Sequence, residues 1–374
     1  MKKLGFGLMR LPLTNADDIK SIDIERVKAM ADEFLKEGFT YFDTAACYHE
    51  GASEPAFKEA VAKRYPRDAY SITSKLSLFM LKEASEIPDF FDKQLESLGV
   101  DYMDVYLIHA LNKNAYHQAK DWGAFEFVNQ KKAEGKVKHV GFSFHDSAEV
   151  LEQILIEQPE VEYVQLQINY LDWESEKVQS RKCYEVARKY DKKILIMEPI
   201  KGGSLANVSD EVAEMYKGYN SQASIASWAV RFAAGLEGVV MVLSGMSNEE
   251  QMADNLSYMK EFVPINDEEQ AIINDAVKLI QADISIPCTA CRYCVEDCPM
   301  GIPIPDYFGI YNAAKKAIRD KNDAEFEAQK ERYAELAESH GKASDCIECG
   351  MCEEHCPQFL PIRKYLKYVA KVLE

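Results

Sequence analysis

A chain of 374 residues allows roughly two domains and a large buried core. An apolar fraction of 47% beside 28% charged residues is that of a soluble globular protein, and a net charge of −18 argues against nucleic acid or an anionic membrane as partner, because phosphate demands a basic face. No stretch approaches the ~20 apolar residues a membrane helix needs, and the opening MKKLGFGLMRLPLT, broken by Arg10-Leu-Pro, does not read as a secretory signal.

Along the chain, short apolar runs alternate with longer helical patterns. Strands are predicted at 4–9, 40–43, 70–75, 104–109, 139–144, 163–168, 193–198 and 239–244. Helices are predicted near 24–37, 53–64, 87–98, 122–134, 147–157, 174–190 and 222–234, and another, 248–260, follows the last strand. Regular β-then-α alternation implies a parallel sheet with right-handed crossovers. Eight units in about 260 residues match a closed (β/α)₈ TIM barrel, of the α/β class, whose typical size is about 250. An open doubly wound sheet is the alternative, and it rarely needs eight units. The pattern stops around 282–287, so a first domain is expected over 1–285 and a second over 286–374. Within the second, 306–340 reads as helix, the charged half of it carrying Phe326, Tyr333 and Leu336 as apolar contacts.

Eight of the ten cysteines fall in this tail. Cys288, Cys291, Cys294 and Cys298 precede Pro299; Cys346, Cys349, Cys352 and Cys356 precede Pro357. Both groups read C-x₂-C-x₂-C-x₃-C-P, the run of bacterial ferredoxins. Three thiolates two residues apart wrap one cubane, and the fourth, stepped away and fixed by proline, reaches the other. The spacing therefore assigns Cys288, Cys291, Cys294 and Cys356 to one [4Fe–4S] cluster, and Cys346, Cys349, Cys352 and Cys298 to a second. Zinc sites use paired cysteines instead. The long helical insertion between the two runs resembles the α-helical type of dicluster ferredoxin. Cysteines spaced as metal ligands, not as disulfides, suggest a reducing compartment, the cytoplasm. Of the remaining two, Cys183 is expected to be a packed helix thiol, and Cys47 sits beside Tyr48.

In a (β/α)₈ barrel, chemistry belongs to the C-terminal ends of the strands. Those ends bring Asp43, Lys75 and His109 together, with Tyr48 five residues after Asp43. The segments DTAACY, SKL and LIHA, with GFGLMRLP, GKVKHVGFS and MEPIKGG, resemble the aldo-keto reductases over residues 1 to about 280. The resemblance implies a catalytic tetrad of Tyr48, Asp43, Lys75 and His109 and a small carbonyl or alcohol substrate. In it Tyr48 is the general acid/base, Lys75 lowers the phenol's ordinary pKa of about 10, Asp43 holds Lys75, and His109 orients the carbonyl.

The same resemblance implies an NAD(P)H site. Ser143 and Gln165 match positions that hold the nicotinamide carboxamide, and Met197 matches the place of a stacking aromatic. Ser244, Gly245, Met246, Gln251 and Asn255 belong to the loop and helix that meet the phosphates. Ser247 followed by Glu250 predicts a capping box there. The sequence departs from the family pattern at Phe144, where Asn is common, at Met197, and in a loop with Glu249 and Glu250 where Lys and Arg are common, which argues against a strong NADP preference. Nicotinamide passes two electrons and a cubane one, so FMN at the barrel mouth, fed by a ferredoxin or another redox partner through the clusters, is the second expectation. The third is an electron-transfer subunit with a non-catalytic barrel, which a complete tetrad disfavours. Trp122 and Trp173 suggest an aromatic-lined pocket without naming a substrate.

Overall fold

The computed structural model describes residues 2–16 and 18–374. It divides into two compact units, one of residues up to Ile200 with Ala226–Asp267, the other of Lys201–Ile225 with Glu268–Glu374.

The first unit is a closed barrel of eight parallel strands in sequence order: β1 (Leu4–Gly7), β2 (Tyr41–Asp43), β3 (Ser71–Leu76), β4 (Met103–Leu111), β5 (Val137–Phe144), β6 (Tyr163–Gln167), β7 (Lys193–Met197) and β8 (Val239–Ser244). All eight predicted strands are present. Helices cover the outside, so both faces of each strand are buried, which is why the strands read as nearly unbroken apolar runs. Strand side chains alternate faces, and Tyr41, Val105, Leu107, Leu195, Met241 and Leu243 form a core cluster. Space there is tight: a Cβ on Gly141 of β5 would stand 2.2 Å from the Tyr163 carbonyl oxygen of β6.

The barrel helices are α1 (Ile24–Lys36), α2 (Ser53–Phe57), α3 (Ile87–Leu98), α4 (Lys113–Asp121), α5 (Ala124–Ala133), α6 (Ala148–Glu157) and α7 (Ser180–Lys189). Three differ from expectation for local reasons. The helix expected over 53–64 loosens into a π-turn at Lys58–Ala62 after α2. That expected over 122–134 starts only at Ala124, because Gly123 is left-handed (φ 66°), and α4 precedes it, capped by Asn112, which accepts from the Ala115 amide at 2.9 Å. That expected over 174–190 begins at Ser180. Before it, Ser175 Oγ accepts from the amides of Lys177 (3.3 Å) and Val178 (3.2 Å), a local bonding that competes with helix.

After β7 comes α8 (Asp210–Tyr219), which belongs to the second unit, then α9 (Ile225–Gly235) and α10 (Glu249–Met259). The second unit is otherwise built from α11 (Asp267–Asp283), α12 (Ile304–Arg319), α13 (Asp323–Ala337), the short α14 (Met351–Glu354) and α15 (Ile362–Leu373). No strand occurs among its described residues. Its core gathers Tyr307, Phe308, Tyr311, Tyr333, Ile362, Leu366 and Val369 with the buried Cys294 and Cys352, and Phe326 and Leu336 pack against it. Among the described residues no helix is long and apolar enough to cross a membrane.

Candidate functional site

The period of two that aims core side chains inward also aims the polar ones at the strand ends. Asp43 follows Tyr41, Lys75 follows Thr73, His109 follows Leu107, Ser143 follows Gly141 and Gln165 follows Tyr163, each two residues on and so on the same face. Lys75 is fully buried, and its Nζ donates to Asp43 Oδ1 and to the Thr44 carbonyl, both at 2.7 Å. Gln165 Nε2 donates to the other Asp43 oxygen at 3.3 Å. Burial lifts the Asp43 carboxyl above its ordinary range, and the Lys75 ammonium pulls it back. The same ammonium lies 4.8 Å from the Tyr48 ring centroid. The Tyr48 and His109 rings meet edge to face at 6.1 Å. Burial, then the Lys75 charge and His145, hold the His109 imidazole well below its ordinary pKa, so it is neutral.

The structure adds Ser77, His49, Glu54 and Gln94, which the sequence did not single out, and it places Cys47, which the sequence had set beside Tyr48. Ser77 is buried, and its Oγ lies 2.7 Å from His109 Nδ1. Cys47 Sγ lies 3.9 Å from the same nitrogen, its thiol pushed up to about 11 by burial. His49 takes the Leu11 amide on Nε2 (3.1 Å) and meets the Ile19 carbonyl with Nδ1 (2.7 Å). This buried staple fixes the turn after Tyr48, where His49 and Glu50 are both left-handed. Behind Lys75, Glu54 accepts from Ser74 Oγ (2.6 Å) and Gln94 Nε2 (2.8 Å), and Gln94 also donates to the Lys75 carbonyl (3.1 Å). Burial pushes Glu54 up to about 7. A buried Ser two residues after a strand-end Lys is the only signal that Ser77 offered. The other partners lie too far apart in sequence to be paired by reading.

The expected cofactor contacts fall in two groups. Ser143 Oγ accepts from the Ala110 amide (2.7 Å), leaving its hydroxyl hydrogen to donate, and Gln165 keeps its carboxamide oxygen as an acceptor. That donor–acceptor pair suits a carboxamide. Met197, half-buried, ends β7. At the end of β8, Asn255 Nδ2 donates to Ser244 Oγ (2.8 Å), both buried; Met246 is packed out of solvent, and the Arg10 stem lies against Gly245. The helix cap is Asn248, which accepts from the Gln251 amide (2.8 Å), and not Ser247. Gln251 Oε1 accepts from the amide of Ser247 (2.7 Å), the residue before the cap, so the box predicted from Ser247 and Glu250 is not the one that starts this helix. Glu249 is held by Arg26 through two bonds (3.0 and 2.6 Å), which keeps its carboxyl down at about 2. One of the two carboxylates that weighed against a phosphate is thus paired with a cation from α1. Trp173 packs on Tyr184 and Phe232, and Cys183 is buried as expected.

In the second unit, Cys288, Cys291, Cys294 and Cys356 are among the residues that line one recess. The thiols that add to the upward push of burial on Cys294 are Cys291, Cys288, Cys356 and Cys352; on Cys352, pushed up to about 12 by burial first, Glu353 adds and then Cys346, Cys349 and Cys298. The two loops also share one wrap. The second and fourth residues after the first cysteine are left-handed in both: Ala290 and Arg292 (φ 52° and 67°), Glu348 and Gly350 (φ 58° and 89°). Left-handed backbone at three non-glycine positions is unfavourable without something to hold it. Among the described residues no group of His, Cys, Asp or Glu gathers tightly enough for a single metal ion. A cubane spreads its four thiolates around a cube, so the residues present fit that group.

Fold and mouth together define a (β/α)₈ barrel protein with a buried Asp–Lys pair beside a Tyr and a neutral His at the strand ends. The aldo/keto reductase family profile matches residues 3–278, and a 4Fe-4S dicluster domain profile matches residues 287–360. The chain belongs to the aldo/keto reductase family and carries the dicluster domain fused after it. It is similar to the glyoxal reductase of Bacillus subtilis, 32% identical over 152 residues, 39% of this chain and 48% of the relative. It spans between 27% and 48% of the length of the first curated relatives it matches. Among solved structures it is similar to the holo form of an aldo-keto reductase from Bacillus halodurans (TM-score 0.60, 20% identity, 73% of this chain and 91% of that one). It also resembles an aldo/keto reductase from Klebsiella pneumoniae in complex with NADP and acetate (TM-score 0.58, 18% identity, 73% and 90%). At these identities the likeness is one of fold.

Proposed function

We propose that the chain is an oxidoreductase that reduces a small carbonyl, or oxidises the matching alcohol, with a nicotinamide nucleotide at the barrel mouth, and that its tail carries two [4Fe–4S] clusters. The observation that carries this reading is the convergence of the fully buried Lys75 with Asp43 at 2.7 Å, the Tyr48 ring at 4.8 Å and neutral His109 behind it.

The nucleotide, when bound, supplies the hydride. Ser143 and Gln165 would hold its carboxamide, Met197 would lie beside the ring, and Ser244, Gly245, Met246, Gln251 and Asn255 would form or support the phosphate loop. The rest is done by protein groups. As the carbonyl oxygen gains charge, the Tyr48 phenol gives it a proton. The Lys75 cation favours the phenolate left behind, which lowers the cost of that transfer. Asp43 holds the Lys75 ammonium in place inside the barrel. Ser77, donating to His109 Nδ1, places the ring's single proton on Nε2, where it can hydrogen-bond the substrate oxygen. The Bacillus subtilis relative is named for reduction of glyoxal, which supports a small carbonyl substrate.

On this reading the barrel domain runs over 1–285 and the ferredoxin-like domain over 286–374. The clusters are held by Cys288, Cys291, Cys294 and Cys356, and by Cys346, Cys349, Cys352 and Cys298, and supply one-electron steps to a redox partner such as a ferredoxin. The deciding test is Tyr48→Phe in anaerobically prepared protein. Carbonyl reduction should fall to background while nucleotide binding, followed by fluorescence titration, stays within about twofold. Retained turnover would remove Tyr48 from the proton step.

A further inference from the structure

We propose, on the reading of Tyr48 as the proton donor, that Glu54 is a positioning residue for carbonyl reduction: it grips the peptide that carries Lys75 from outside the barrel, and its charge, acting through the lysine, weakens Tyr48 as an acid.

Neighbouring side chains of a strand point to opposite faces. Lys75 points into the barrel, so Ser74 points outward, under the helices. There Glu54 of α2 meets it. Glu54 Oε1 accepts from Ser74 Oγ at 2.6 Å and from Gln94 Nε2 of α3 at 2.8 Å. Gln94 Nε2 also donates to the Lys75 carbonyl at 3.1 Å, and Gln94 Oε1 accepts from the Tyr106 hydroxyl of β4 at 2.6 Å. The residue before Glu54 holds the lysine's other end. Ser53 Oγ lies 2.7 Å from Thr44 Oγ1, and the Thr44 carbonyl takes a bond from Lys75 Nζ at 2.7 Å. Two adjacent residues of α2 thus tie down both the backbone and the head of Lys75. All of these residues are buried.

A glutamine could accept the same two bonds at one oxygen without the cost of burying an acid. What the acid adds is charge. Burial pushes Glu54 up to about 7, against the bonds from Ser74 and Gln94 and the Lys75 ammonium, so near neutral pH it changes charge. Cys47 and Tyr106 also feel that charge, and burial holds both neutral there. Asp43 meets Lys75 at its Nζ. The ammonium favours the phenolate that Tyr48 leaves behind, and a second carboxylate near it offsets part of that field. Tyr48 is therefore the stronger acid while Glu54 keeps its proton, and the weaker once Glu54 has lost it.

The test uses the full chain, prepared anaerobically, with glyoxal and reduced nicotinamide nucleotide as probes. The kcat of reduction should step down about threefold as pH rises through about 7. Glu54→Gln should remove the step and keep the faster rate on both sides of it. An ultraviolet difference titration against the matching Tyr48→Phe protein reads the phenol itself, which should ionise about threefold more readily in Glu54→Gln than in the parent. Ser74→Ala removes a bond that favours ionised Glu54, so the step should survive and move to higher pH; this variant decides the matter should Glu54→Gln fail to fold. Glu96→Gln, which neutralises an exposed carboxylate on α3, should change neither the step nor the phenol. Glu54→Ala loses the grip as well as the charge and should slow turnover at least about tenfold at every pH, a loss that Glu54→Gln largely restores. A step that persists in Glu54→Gln, or stays in place in Ser74→Ala, overturns the proposal, as does a phenol unmoved in Glu54→Gln. Equal losses in the alanine and glutamine variants without a change in pH dependence would make Glu54 a structural pin and overturn it too. Turnover that survives Tyr48→Phe would instead refute the reading of the barrel mouth itself.

Discussion

Replacing Lys75 by Met tests the electrostatics of the barrel mouth. The substitution roughly conserves side-chain length and removes the ammonium bound at 2.7 Å to both Asp43 Oδ1 and the Thr44 carbonyl. Asp43 is then left buried with Gln165 at 3.3 Å. Breaking a buried ion pair from one side costs about 3–5 kcal/mol. The carboxyl can escape part of that cost by taking up a proton. Burial already lifts its pKa, and the variant lacks the cation that opposed the lift. A carboxyl with a raised folded pKa keeps a proton that the unfolded chain has lost, so stability falls as pH rises from the unfolded pKa through the folded one. The deficit of Lys75→Met should therefore be small near pH 5 and reach about 3–5 kcal/mol near pH 8. Urea unfolding followed by tryptophan fluorescence reads the barrel alone, because Trp122, Trp173 and Trp228 all lie in the first unit. The same variant should raise the pH at which the tyrosine ionises in the rate profile, each unit being 1.36 kcal/mol of lost stabilisation. A deficit independent of pH would refute the reasoning, since it would mean that packing, not an unpaired charge, had been lost.

Four further outcomes are expected. Ser77→Ala should remove the hydroxyl that meets His109 Nδ1 at 2.7 Å, at about 1–3 kcal/mol, lowering kcat roughly 10- to 100-fold with KM little changed, in steady-state assays of carbonyl reduction. Glu54, held up at about 7 against an ordinary 4.5, makes the fold more stable on the acid side, and that contribution is lost as pH rises from 4.5 through about 7. Glu54→Gln should abolish this slope of ~3 kcal/mol in unfolding measured across the window. Gly141→Ala, whose Cβ would meet the Tyr163 oxygen at 2.2 Å, should yield little folded barrel by circular dichroism or size exclusion. Cys356→Ser should lower bound iron from about eight per chain to about four, and so should Cys298→Ser, each removing a different cluster by its spectroscopic signature.

What the sequence made legible is what repeats. The eight strands were readable because each is a short apolar run between turns, and Asp43, Lys75 and His109 because strand ends are where a barrel does its chemistry. The two cysteine runs carried their own spacing. The missed features are tertiary or local exceptions to periodicity. Ser77 matters only because folding brings it to His109, 32 residues away. Arg26 matters because α1 brings it to Glu249, 223 residues on. Lys113–Asp121 looked like loop because Trp122-Gly123 interrupts its helical pattern, although Asn112 was a readable cap. Lys201 looked like part of the barrel because its motif follows a barrel strand, and only three-dimensional packing shows it with the second unit.

The two halves of the chain handle electrons in different parcels, and this has a measurable consequence. A nicotinamide nucleotide gives up two electrons together, whereas a cubane accepts one, and the usual go-between is a flavin. If the mouth holds only nicotinamide, nothing in the barrel can split the pair. Mixing reduced nicotinamide nucleotide anaerobically with the full chain should then leave the cluster absorbance unbleached, while dithionite, a one-electron reductant, bleaches it at once. The carbonyl reaction should proceed at the same rate in either cluster state. Bleaching by the nucleotide would demand a go-between at the mouth. Denatured protein should in that case release a fluorophore absorbing near ~450 nm, the flavin alternative, and Met197, where a stacking aromatic is usual, would then be read as room for a wider ring.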